Sequence, residues 1–396
     1  MISSKMAEKL KGGSMIRKMF EEGNRLKKIY GEDNVFDFSI GNPDLEPPRE
    51  VSDALYKIAA DPKPGMHGYM SNSGYESTRA VVAAKRSSGS GVTIGPDAVC
   101  MTVGAAAAMN DVLHSILDDG DEVIVLAPFF MEYTGYIENH NGKVVIVDTD
   151  EKFMPHVSDI RKAINSRTKA IIINSPNNPS GVIYPASFLT ELNSMLRECD
   201  HVIHVISDEP YIDLVYDGAE VPQALRYIEN LIICFSWSKS LSLPGERIGY
   251  TLVSPNHSDY EELTAAIVIS NRTLGSVNAP AIWQRVIEHS INAKVDVANY
   301  ERRRDLLYSN ITDAGFDAVK PGGALYIFMN TPQGMTDAEF ATVCSSHNLL
   351  LVQGSAFFKP GYCRLAFCVS ERTIKNSRKA FFEVAEELGI SHKAPL

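Results

Sequence analysis

The chain has 396 residues, 44% of them hydrophobic and 22% charged, which excludes a disordered or fibrous protein and leaves room for two domains. A formal net charge of -11 argues against nucleic acid and anionic membranes as partners, because both select basic surfaces. No apolar run approaches the ~20 residues of a membrane span, and the start Met1-Ile2-Ser3-Ser4-Lys5-Met6 lacks the apolar core of a signal peptide, so the cytoplasm is the expected compartment.

In chain order, the first forty residues carry an amphipathic helical pattern rich in lysine and glutamate, expected to pack on a smaller domain or on a partner subunit. From about residue 95 to 255, short β-branched runs alternate with helical patterns. The runs are Val99–Val103, Glu122–Leu126, Val144–Val147, Ala170–Ile173, Val202–Ile206, Leu231–Phe235 and Tyr250–Val253. Near-continuous apolar strands separated by helices predict an α/β fold with a mostly parallel seven-stranded sheet covered on both faces. Residues 46–285 are expected to form this large domain. Val295 to Leu306 reads as a charged helix, and Phe316 to Leu388 mixes short strands with helices. Residues 1–45 and 286–396 are expected to build a smaller α+β domain.

The six cysteines (Cys100, Cys199, Cys234, Cys344, Cys363, Cys368) include no Cys-x-x-Cys pair, so neither disulfides nor zinc is expected. His201 and His204 are three residues apart, an offset that in a strand points to opposite faces. Packing, and no metal site, is the expectation there.

Three segments at predicted strand ends carry candidate chemistry. In Thr102-Val103-Gly104-Ala105-Ala106-Ala107-Ala108-Met109-Asn110, a helix opens with small residues, and the backbone N–H groups of Gly104, Ala105 and Ala106 offer a cradle for phosphate. Asn174-Ser175-Pro176-Asn177-Asn178-Pro179-Ser180-Gly181 is a loop of turn formers, read either as a plain turn or as a holder for the Asn178 amide, which can donate to a phenolate-like oxygen. Ile206-Ser207-Asp208-Glu209-Pro210-Tyr211 sets a carboxylate and a phenol three residues apart, with a capping aspartate and a core tyrosine as the plain alternative.

The most informative run comes next: Ser236-Trp237-Ser238-Lys239-Ser240-Leu241-Ser242-Leu243-Pro244-Gly245-Glu246-Arg247-Ile248-Gly249. A lysine that condenses with an aldehyde must give up its proton, so it needs a desolvated or cation-flanked setting. A phosphate needs the opposite, a cluster of donors and charge, which Arg247 with its planar fork and the Ser236 and Ser238 hydroxyls supply. One loop leaving the end of a sheet provides both, where open α/β sheets place ligands. That combination suits pyridoxal phosphate, whereas a lone Ser-x-x-Lys would read as a solvated surface loop. With this cofactor, Asp208 is assigned to the ring nitrogen, which it keeps protonated, and Tyr211 to the ring oxygen.

Taken together and in order, Asn178-Pro179-Ser180-Gly181, Asp208-x-x-Tyr211 and Ser236-x-Ser238-Lys239 with Arg247 resemble the class I aminotransferases of the aspartate aminotransferase superfamily, which are fold type I pyridoxal-phosphate enzymes. The resemblance extends from Gly41-Asn42-Pro43-Asp44 to the Arg364 segment, nearly the whole chain. It implies ping-pong transfer of an amino group between an L-amino acid and a 2-oxo acid, with Lys239 moving the proton, in a homodimer with active sites at the interface. It implies further that Tyr69 reaches the partner's cofactor phosphate, and that Phe130 stacks on the pyridine ring rather than only filling a core. Arg364 would clamp the substrate α-carboxylate, which Gly41 lets the backbone approach, and Asn178 would serve cofactor and substrate alike.

The departures from the family pattern are also informative. Trp237 is bulky where the family's lysine motif has a smaller residue. Ala106 stands where some aspartate-specific relatives carry a lysine for a side-chain carboxylate, which leans the reading towards neutral or broad substrates. Arg272 resembles a place from which other relatives supply a side-chain-binding arginine to the neighbouring subunit, with a surface arginine as the alternative. Two other functions compete with this one. A lyase or decarboxylase of the same fold would share the ring-binding residues. A ligand sensor fused to a DNA-binding module is disfavoured, because the forty residues before Gly41 are too few for a winged helix and the charge is acidic.

Overall fold

The computed structural model describes residues 2–4, 6, 7, 10 and 15–392. Among these residues the strands are β1 (Phe36–Asp37), β2 (Val99–Thr102), β3 (Glu122–Ala127), β4 (Lys143–Asp148), β5 (Thr168–Asn174), β6 (His204–Asp208), β7 (Leu231–Ser236), β8 (Gly249–Val253), β9 (Tyr326–Asn330), β10 (Leu349–Leu350), β11 (Val352–Gln353) and β12 (Tyr362–Ala366). Seven of them form one sheet in the order β2-β8-β7-β6-β5-β3-β4. All pairs are parallel except those of β8, which runs antiparallel to both β2 and β7.

The apolar runs explain this sheet residue by residue. Side chains alternate across a strand, so Leu231, Ile233 and Phe235 enter one core while Ile232 and Cys234 enter another on the opposite face. Ile171 and Ile173 separate from Ala170 and Ile172 in the same way. A sheet buried on both faces demands apolar residues at every position, and burying each large one is worth roughly 1.5–3 kcal/mol.

A further core gathers Phe38, Tyr300, Leu307, Phe340, Leu349 and Phe381 around the three-stranded antiparallel sheet β11-β12-β9 and the parallel pair β1-β10. The expected charged helix spans Val297–Asp313, starting at Asp296, whose carboxylate accepts the Asn299 amide at 3.0 Å. Part of the amphipathic N-terminal pattern lies outside the described residues. The helix Met15–Tyr30 packs Leu26 against Val35 and Leu350, and Lys27 pairs with Asp37 at 3.2 Å.

The histidine reading needs a correction. β6 begins at His204, so His201 lies before the strand and not on its opposite face. There His201 bonds Asp200 and the Thr168 carbonyl, at 2.7 and 2.9 Å. His204 instead stacks on His257, with Nδ1 of the first 2.9 Å from Nε2 of the second. The Asp259 amide donates to His257 Nδ1, so the hydrogen of His257 sits on Nε2 and points at His204. Burial first, then His257 and Lys169, push the His204 pKa from 6.5 down to about 3. A depressed histidine stabilises the fold fully above the unfolded value, and that contribution is lost as pH falls from 6.5 towards 3, at about 1.4 kcal/mol per unit. A His204→Leu variant is expected to lack this slope when its unfolding free energy by denaturant titration is subtracted from wild type across that range.

Candidate active site

Three parallel strands end at one cavity of about 410 Å³, each delivering a polar residue as its last member: Asn174 from β5, Asp208 from β6 and Ser236 from β7. The ends of parallel strands are where an open sheet leaves backbone and side chains free to face a ligand. Beyond Ser236 the chain makes a single helical turn, Trp237–Ser240. Trp237 is buried against Phe235 and Tyr250, with ring centroids 5.2 and 5.4 Å away, so the residue that departs from the family pattern anchors the turn from behind. Lys239 thereby faces the cavity, where Nζ donates to the Gly41 carbonyl at 2.6 Å.

Asp208 is buried at the cavity wall. Its Oδ2 accepts from the Tyr133 hydroxyl at 2.6 Å, while Oδ1 has no partner. Burial raises its pKa from 3.8 to about 7, a shift the Tyr133 bond opposes. Asn174 fastens this region, donating to the Asp208 carbonyl at 2.9 Å and accepting the Asn178 amide at 2.7 Å. Asn178 in turn accepts from Arg364 Nη1 at 3.1 Å.

Arg364 projects from β12 and is 2% exposed. Nη2 donates to the Ser39 carbonyl at 2.8 Å, and Nε is buried without a partner. Its guanidinium lies between the rings of Tyr326 and Phe357, 4.5 and 4.7 Å from their centroids, an arrangement that favours a cation. Burial nevertheless lowers its pKa. Tyr211 is buried with its hydroxyl 3.0 Å from that of Tyr326, and burial raises its pKa first. Gly41 has no room for a side chain, since a Cβ there would lie 2.1 Å from the Tyr326 hydroxyl.

At the other end, Gly104 (φ 89°) turns the chain from β2 into the helix Ala105–Ile116. A Cβ on Gly104 would lie 2.6 Å from Arg247 Nη2, so the glycine makes space for the arginine. Arg247 is held by the Pro244 and Val103 carbonyls at 3.0 and 3.2 Å. Ala105, Ala106, Phe130, Ser236 and Ser238 line the same cavity.

Of the fifteen candidate residues in the sequence, thirteen line this cavity or, for Gly104, border it through Arg247. Two do not. Tyr69 is 92% exposed and away from the cavity of its own chain, and Arg272 is exposed in the last turn of the helix Tyr260–Thr273. Sequence reasoning missed Asn174, Tyr133, Tyr136 and Tyr326, all of which line the cavity. Asn174 had a usable signal, the last position of an apolar strand, but the tyrosines reach the cavity only through tertiary packing.

The family model for aminotransferase class I and II matches residues 33–381. The chain belongs to that family. An aspartate/prephenate aminotransferase of Thermus thermophilus is 32% identical over 89% of this chain and 90% of its own length. Among solved structures, an amino transferase from Eubacterium rectale superposes with a TM-score of 0.94 at 37% identity, covering 98% of this chain and 99% of that one. The aspartate aminotransferase of Thermus thermophilus with maleate gives 0.83 at 28%, covering 94% and 97%. The protein is thus an aminotransferase of the α/β architecture expected, and its substrates are amino acids and 2-oxo acids. Neither the family nor these relatives favours the lyase or decarboxylase alternative. Among the described residues no helix is long and apolar enough to cross a membrane.

The class I and II family implies pyridoxal phosphate, and the residues present fit it. A buried carboxylate with an orphan oxygen suits a protonated pyridine nitrogen. A lysine amine shares its cavity, and the Gly104 turn with Arg247 and two serines makes a phosphate-sized polar end.

Proposed function

We propose that this aminotransferase works with pyridoxal phosphate in the cavity that Lys239 and Asp208 share. The observation that carries the reading is the pairing of that lysine amine with a buried carboxylate lacking a cation, in one cavity with Arg364. Bound there, the cofactor supplies an electron sink for the carbanion left when the substrate Cα–H bond breaks. Ser236, Ser238, Arg247 and the Gly104–Ala106 backbone hold the phosphate, and Phe130 covers the ring. Asp208 keeps the ring nitrogen protonated, while Asn178 and Tyr211 donate to the ring oxygen. Arg364 grips the substrate carboxylate in a two-point contact, and Gly41 leaves the backbone free to approach it. Lys239 Nζ takes the proton from the substrate Cα and delivers it to the acceptor carbon as general base and acid. Water would then release the first substrate's carbon skeleton as a 2-oxo acid, its amino group staying behind with the cofactor, and a second 2-oxo acid would take that amino group by the reverse sequence, which gives ping-pong kinetics.

The same reading extends to the assembly. The working unit is a cytoplasmic homodimer in which Tyr69, exposed on its own chain, completes the partner's phosphate site. The cofactor lobe is residues 46–285, and the lobe bearing Arg364 is 1–45 with 286–396.

The lysines and arginines lining the cavity are Lys239, Arg247 and Arg364, and each has a role above. Position 106 is alanine, so among the described residues of one chain the cavity lining supplies no further cation to a substrate side-chain carboxylate, although several relatives are named for aspartate and exposed Arg272 could reach a neighbouring subunit's site. A broad or neutral specificity is therefore favoured. The test is a panel of L-amino acids with 2-oxoglutarate, ranked by kcat/KM from the new amino acid formed; ammonia release without an amino-acid product would overturn transamination here. Arg364→Lys keeps the charge but loses the fork, and is expected to lower kcat/KM roughly tenfold to a hundredfold, chiefly through KM.

A further inference from the structure

Tyr326 stands where several parts of the cavity meet. It opens β9, with the Phe328–Arg364 pairing two positions along the ladder to β12. Its side chain is buried, its ring lies beneath the Arg364 guanidinium, and its hydroxyl fills the space in front of Gly41. Edge to face with Tyr211 at 5.9 Å, it brings the two hydroxyls to 3.0 Å.

Only one hydrogen can lie between two hydroxyl oxygens, so the direction of this bond decides where the other points. The Arg364 guanidinium lies 4.5 Å from the Tyr326 ring centroid, and a cation on that face draws density from the phenol, which makes Tyr326 the better donor of the pair. We propose that Tyr326 is a positioning residue: its hydroxyl donates to the Tyr211 oxygen and turns the Tyr211 hydrogen into the cavity, while its ring seats Arg364. The inference rests on the pyridoxal-phosphate reading, in which that hydrogen meets the ring oxygen. Linked hydroxyls polarise one another, so Tyr211 is a stronger donor with Tyr326 behind it than alone.

Two variants separate the hydroxyl from the ring. Tyr326→Phe keeps the aromatic face under Arg364, and Tyr326→Leu removes both. The first readout is the pH midpoint of the visible band of the cofactor-loaded protein. A hydrogen bond to the ring oxygen stabilises its negative charge, so a weaker donor raises the pH at which the cofactor loses its proton. The midpoint is expected to rise by about half a unit or more in both variants. The second readout is KM for the amino-acid donor, expected to rise several-fold only in the leucine variant. An unmoved midpoint in Tyr326→Phe beside a normally titrating wild type overturns the inference alone, as does an equal rise of KM in the two variants. A wild type without any pH-dependent band overturns the cofactor reading and this inference with it.

Discussion

Lys239→Ala is expected to reduce transamination on the order of 10⁴-fold or more, because the proposal asks one amine to hold the cofactor and to move the proton. The loss should be chemical and not a failure to fold. The turn carrying Lys239 is fixed by buried Trp237, Ser238 and Ser240, and the Nζ hydrogen bond runs only to the Gly41 carbonyl. Unchanged circular dichroism with vanished turnover and vanished visible absorbance is the expected pattern. Borohydride reduction followed by digestion locates the linkage directly: a pyridoxyl group on the peptide containing residue 239 in wild type, and none in the variant. Near-native turnover in the alanine variant would remove Lys239 from the mechanism.

Asp208→Asn should cost turnover on the order of a hundredfold to several thousandfold, as expected for a buried charge that loses its partner. The amide can still accept from the Tyr133 hydroxyl, yet it presents a donor where the carboxylate presented Oδ1. That reversal works against a protonated ring nitrogen. In protein stripped of cofactor, the effect on stability runs the other way. A carboxyl whose pKa rises from 3.8 to about 7 contributes fully below 3.8, and that contribution is lost as pH climbs towards 7. The asparagine variant has no such slope, so relative to wild type it gains stability across that interval. His204 acts in the opposite direction over much of the same range, and buried Asp111, also raised to about 7, adds to Asp208. Only the difference between each variant and wild type isolates one group.

The fold was readable because the sheet is buried on both faces, which leaves runs such as Leu231–Phe235 with no polar interruption. What such runs do not encode is direction, so the antiparallel setting of β8 appears only in three dimensions. Lys239, Asp208 and Asn178 were readable because each sits at or just past the end of a strand, in a segment of distinctive composition. Tyr133 and Tyr326 have no comparable local mark. One lies in the first turn of the helix Glu132–Asn139 and the other in β9, beside the core of the three-stranded sheet, and each acquires its place through a partner distant in sequence. Tyr69 illustrates a different limit, since the site it would complete belongs to another chain.

Arg364 carries a consequence for discrimination among ligands. With Nη1 and Nη2 bonded to an amide oxygen and a carbonyl, and no carboxylate paired with it among the described residues, Arg364 is a buried cation held without a counter-charge. On the proposed assignment an arriving acid group relieves that tension, whereas a decarboxylated amine leaves it in place. Selection against biogenic amines would then be written into the resting protein, before any bond is made or broken.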